Sequence, residues 1–178
     1  MDEDHRFSLH DRKHCEVEFD LANISTSSRG SFSPGLEMSR SADIDFTFAE
    51  EVGVYAGVHQ LLQHGVCFDF EGAVSYVLDE DGMFDWRRTD VERLGRVVEL
   101  AAEADRSATT FGITGILDRH GTGGDFLFQP GRKTISFAAE VNRRVLSGST
   151  FCDFGWYLRR LVPVFEPFGL CAIEASEY

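Results

Sequence analysis

Cys15-Glu16-Val17-Glu18-Phe19-Asp20-Leu21 alternates without a break, apolar at 15, 17, 19 and 21 and acidic at 16, 18 and 20. A period of two marks a strand with one buried and one wet face, so the three carboxylates share a side and the apolar residues share the other. The pattern returns at Asp43-Ile44-Asp45-Phe46 and at Phe68-Asp69-Phe70-Glu71. None of the three segments carries a Lys or Arg among its outward positions. Facing carboxylates on neighbouring strands repel, so a face of one sign costs stability. The sequence therefore predicts a sheet with an acidic side built from Glu16, Glu18, Asp20, Asp43, Asp45, Asp69 and Glu71.

The rest of the chain supplies what covers the other side. Residues 25–42 hold seven Ser, two Gly and one Pro, too little apolar surface to bury, and read as a mobile Ser/Gly-rich loop between two acidic strands. Thr47-Phe48-Ala49-Glu50 has capping-box spacing and opens a predicted helix that His64-Gly65 stops. Within it Ala49, Gly53 and Gly57 form a small-residue ridge suited to close approach to a sheet. A strand is expected at 66–71. Strands at 73–79 and 83–88 flank Glu80-Asp81-Gly82 as a hairpin. Thr89-Asp90-Val91-Glu92 opens a second, amphipathic helix with Val91, Leu94, Val97, Val98, Ala101 and Ala104 inward. Strands at 110–118, 125–129 and 134–141 follow. Thr150-Phe151-Cys152-Asp153 then introduces a third helix to about residue 166, which Pro163 should kink or end, and a strand at 171–175 closes the chain. This order predicts one α+β domain over 1–178, a mainly antiparallel sheet with about three helices packed on one face.

Composition narrows the function. At 178 residues with 43% hydrophobic content and 16 Phe, the chain is long enough for a proper core. The net charge of −13 is uneven: residues 1–89 carry 18 acids against seven Lys/Arg, and residues 90–178 carry 12 against ten. Such a field repels nucleic acid and anionic membrane, and it attracts basic proteins and cations. Cys15, Cys67, Cys152 and Cys171 form no C-x-x-C pair and read as buried small hydrophobes of a reducing compartment. The first residues lack a signal-sequence pattern and no apolar run has membrane-spanning length, which gives a cytoplasmic expectation.

Chemistry-bearing motifs are weak. Asp118-Arg119-His120-Gly121-Thr122-Gly123-Gly124-Asp125 sets a His between carboxylates among glycines, but a strand rather than a helix follows, so a hairpin loop explains it better than a phosphate cradle. His59 and His64 stand about 140° apart around a helix and cannot chelate together; with Cys67 and Asp69 they make no metal site of usual spacing. No G-x-S-x-G or adjacent Cys-His pair is present. The expectation is no catalytic residue, no metal and no cofactor.

A small acidic domain with a one-signed sheet face resembles, in general character, the bacterial immunity proteins that neutralise a partner toxin; the resemblance transfers no residues. It implies a non-enzymatic protein whose acidic face docks on the basic cleft of a toxin domain, steered by charge and held by apolar contacts. Two alternatives stand beside it. One is an enzyme of phosphoryl chemistry whose clustered carboxylates hold a divalent metal, and the other is a nucleic-acid mimic.

Overall fold

In the computed structural model, which describes residues 40–105 and 108–178, the alternation at 43–46 becomes strand β1, Ala42–Phe48. Ile44 and Phe46 are fully buried, while Asp43, Asp45 and Thr47 point to the other side. The further strands are Val74–Asp79 (β2), Arg87–Thr89 (β3), Thr110–Ile116 (β4), Gly123–Phe128 (β5), Thr134–Val141 (β6) and Leu170–Glu177 (β7). The helices are Val54–Gln63 (α1), Leu94–Glu103 (α2) and Phe154–Phe165 (α3). The strands make one sheet ordered β3-β2-β4-β5-β6-β1-β7, every neighbouring pair antiparallel. The fold is α+β, as the element order predicts.

All three helices lie on the side presenting Phe46, Phe111, Ile113, Phe126, Phe128, Ile135 and Phe137, and one continuous core joins them to it. Its centre is aromatic: Phe46 and Phe126 meet Phe165 of α3, and Phe137 meets Tyr157. Such tilted and edge-on pairs add to the burial of the rings themselves. Of the predicted small-residue ridge only Gly57 meets the sheet, where a Cβ would lie 2.6 Å from the Phe128 ring. Gly53 has open space around it and is instead the extended residue before α1. Arg132 is fully buried beside the β5–β6 turn, its Nη1 donating to the carbonyls of Thr109, Phe128 and Gln129 at 2.7, 2.7 and 3.1 Å.

Several local expectations are corrected. Residues 66–71 are not a strand. Only isolated bridges form there, because Glu71 and Gly72 take positive φ and the Asp69 carboxylate accepts the Gly72 N–H at 2.9 Å, so turn chemistry overrides the alternation. Thr47 and Phe48 end β1 rather than cap α1, since Phe48 is buried and its N–H bonds to the Lys133 carbonyl. Thr89 likewise ends β3, and a short 3-10 turn, Val91–Arg93, precedes α2. Asp153, not Thr150, caps α3 by accepting the Trp156 N–H at 3.0 Å. That helix runs two residues past Pro163 before passing into a 3-10 turn, Glu166–Phe168. The β2–β3 loop is longer than predicted: Asp79 accepts from the N–H groups of Gly82 and Phe84, delaying the return strand to Arg87. Cys67 and Cys152 are buried, but Cys171 is exposed, as the extra residue of a bulge in β7. The predicted strand through Glu16, Glu18 and Asp20, and the predicted loop up to residue 39, lie outside the described residues; Ala42 belongs to β1. Among the described residues no helix is long and apolar enough to cross a membrane.

Candidate functional site

Among the described residues no helix lies over the other side of the sheet, so its outward side chains form an open surface. Register decides who meets whom. Asp45 stands opposite Glu174 of β7 on one flank and Ser136 of β6 on the other. One row away, Asp43 stands opposite Ser176 and Ala138. Asp43, Asp45 and Glu174 therefore make an acidic patch, and the positions directly across from them contain no Lys or Arg. The Tyr178 hydroxyl donates to Asp43 Oδ2 at 2.7 Å, and Ser41 Oγ reaches the same oxygen at 3.4 Å. That hydrogen bond, together with the Asp43 charge, pushes the Tyr178 phenol above its ordinary range.

The other sequence-predicted acids are not part of this patch. Asp69 closes its own turn, and Glu71 stands 3.6 Å from Arg88 in an exposed pair. Three strands separate β2 from β1, which at the usual strand spacing is about 19 Å. Glu174 joins the patch instead. Its signal lies in the stretch Ile173-Glu174-Ala175, whose alternation points an acid outward once strand 171–175 is placed beside β1.

Toward β2 the same surface is hollowed. Phe70, Ser75, Trp86, Arg88, Thr114, Asp125 and Val141 line a recess of about 270 Å³. Gly112 lets the Trp86 ring, which lines the recess, pack down onto β4. A Cβ there would lie 3.1 Å from the Trp86 ring, 2.6 Å from Val77 and 2.8 Å from Leu127. The Thr114 hydroxyl donates to Asp125 Oδ1 at 2.6 Å. Burial holds the Asp125 carboxyl above its ordinary range, the Thr114 bond opposes this, and the charge of Glu140 adds to it. Asp125, the first residue of the strand expected at 125–129, is an outward residue of β5, flanked by Thr114 and Ala138.

No family model, curated protein or solved structure matches the chain. The site is therefore read from its own residues.

The remaining candidates resolve into structural roles. In the β4–β5 hairpin loop the Asp118 carboxylate accepts the N–H groups of His120 and Thr122, and Gly121 takes positive φ. His59 stacks on Tyr55, and His64 Nδ1 meets the Gln60 carbonyl. Among the described residues no three His, Cys, Asp or Glu side chains are grouped to hold a metal ion. Arg143 stands 3.7 Å from the buried Glu177, whose Oε2 accepts the Cys152 N–H. Burial and that carboxylate raise the Cys152 thiol to about 11, which leaves it protonated and unreactive near neutral pH. Arg144 and Arg160 lie over the Trp156 ring. Among the described residues the helix-free face is open to contact, with small residues beside an acidic patch at one end and a carboxylate-bearing recess toward the other.

Proposed function

We propose that this face docks on a basic protein partner, and that the protein acts as a non-enzymatic neutralising binder in the way an immunity protein blocks a toxin. The observation that carries the reading is Asp45 directly opposite Glu174, with Asp43 in the adjoining row and only Ser136, Ala138 and Ser176 across from them. Like charges at opposed positions weaken a sheet, and a partner's Lys or Arg side chains relieve that repulsion on binding. Ser136, Ala138 and Ser176 beside the acids are small and leave the carboxylates accessible to a partner surface. Metal-dependent phosphoryl chemistry needs the carboxylates to converge, whereas Glu71 sits beside Arg88 of β3, which β2, β4, β5 and β6 separate from β1.

The test uses an immobilised nona-arginine peptide at low salt. Asp43→Asn/Asp45→Asn/Glu174→Gln should slow association by about tenfold, the scale on which charge steers encounter. The control, Glu92→Gln/Glu99→Gln/Glu103→Gln, removes the same charge from exposed positions on and just before α2 and should change it less than about twofold. Equal losses in both variants would show that net charge alone attracts the peptide, and the face would lose its assignment.

A further inference from the structure

The recess on the helix-free face has the chemistry of an anchor site. Asp125 Oδ1 accepts the Thr114 hydroxyl at 2.6 Å, while Oδ2 accepts no hydrogen bond among the described residues. Phe70 and Trp86 bring aromatic surface to the same space. A carboxylate partly withdrawn from water beside π faces is an incomplete arrangement that a cation completes. Arg88 lines the recess as well, but its charge is shared with Glu71 at 3.6 Å and with the Phe70 carbonyl, to which it donates at 3.3 Å. Glu140 adds its negative charge to that of Asp125, which disfavours an anionic ligand.

We infer that this recess receives the guanidinium of an arginine side chain presented by the partner. The inference rests on the docking reading of the face and names the side chain that the face would take. A guanidinium is planar and weakly hydrated, so it can lie on an indole while its N–H groups reach a carboxylate. A lysine ammonium is compact and strongly hydrated and cannot lie flat on the indole. The oxygens of Asp125, Thr114 and Ser75 can accept from either cation, so the preference for a guanidinium rests on its planar shape and weaker hydration. Gly112 lets the indole of Trp86 lie close over β4 beside Val77 and Leu127, since a Cβ there would press on all three.

The test titrates the ¹⁵N-labelled full chain with acetyl-arginine methylamide and follows the Trp86 indole N–H, assigned with Trp86→Phe. Binding should shift that resonance. The citrulline analogue, of the same shape without the charge, should bind at least about tenfold more weakly, as should the arginine probe to Asp125→Asn; that is the scale of one charge-assisted hydrogen bond. The lysine analogue should also be weaker. Equal binding of arginine and citrulline probes, an unaffected Asp125→Asn, or a lysine probe that binds as well as arginine would each overturn the assignment. Were Asp125→Asn to unfold, Trp86→Leu read at the Thr114 amide should show a comparable loss, and its absence would overturn the assignment equally. Asp43→Asn/Asp45→Asn/Glu174→Gln should leave the probe's affinity unchanged, so the two readings fail separately. Arginine seated at Trp86 with no dependence of the nona-arginine peptide on the patch would keep the recess and remove the patch. The converse result would do the reverse.

Discussion

Asp45→Asn should make the protein more stable while making it a poorer binder. Asp45 is half-buried on β1 and opposes Glu174 on the edge strand β7. Opposed residues of an antiparallel pair place their Cβ atoms about 5 Å apart, where two unit charges repel by roughly 0.8 kcal/mol at the dielectric of water. Splaying of the side chains lowers this and partial burial raises it, so about 0.5–1 kcal/mol is the working figure. Asn keeps the shape, and it shares the poor strand propensity of Asp, so the change isolates the charge. For a chain of this size that gain raises Tm by about 1–4 °C. Thermal unfolding should be followed at about 10 mM salt, where the screening length is roughly 30 Å, and at 1 M, where it is about 3 Å and the gain should vanish. Glu174→Gln removes the same repulsion from the other side. The double variant should therefore gain about as much as either single one, a non-additivity that a double-mutant cycle reads directly. A lower Tm for Asp45→Asn at low salt, or strictly additive gains, would refute the idea that this face stores repulsion. Stability and affinity moving in opposite directions is the pattern of a surface kept for binding.

Two further outcomes test the frame around the site. Gly57→Ala should destabilise by about 1–3 kcal/mol in urea melts, because its Cβ would sit 2.6 Å from the Phe128 ring and either the ring or α1 must move; an unchanged midpoint would mean that α1 does not approach the sheet there. Asp125→Asn should change the pH profile of stability. Burial raises the Asp125 carboxyl in the folded state, so between the ordinary Asp value of 3.8 and the raised value the folded chain binds more protons than the unfolded one. Stability then falls as pH rises through that window. The variant should be stabilised relative to the native chain by an amount that grows with pH through the window and levels off above it. A constant offset from pH 4 to 7 would contradict the assignment.

What could be read beforehand follows from the range of the forces involved. The strands at 43–46 and 134–141 were legible because side-chain alternation is local and the buried partners are large aromatic and aliphatic groups. The end of β1 was not. Thr47 and Glu50 match a capping box, yet Phe48 gains more by joining the core than a helix gains from a cap. Residues 68–71 misled for a related reason, since alternation says nothing of the turn that the Asp69 side chain and Gly72 impose. Burial of Arg132 could not be anticipated either. It depends on the carbonyl of Thr109, which lies far away in sequence and is brought close only by the β5–β4 pairing.

The site itself shows the limit most sharply, because its like-charged pair is set by a bulge. Between Thr47 and Phe48 the pairing of β1 with β7 slips by one residue, so that Thr47 opposes Ala172 and Phe48 opposes Leu170, with Cys171 left over. Strand faces alternate with a strict period of two, and a slip of one residue exchanges them. Without the extra residue, a strand anchored by Leu170 opposite Phe48 would place Ile173 opposite Asp45 and turn Glu174 toward the helices. Cys171 is thus what lets β7 keep Leu170 beside the core and still present Glu174 outward next to Asp45. Neither segment contains that information alone. The acidic patch exists because two strands from opposite ends of the described chain meet in one particular register, and that register is a property of the fold.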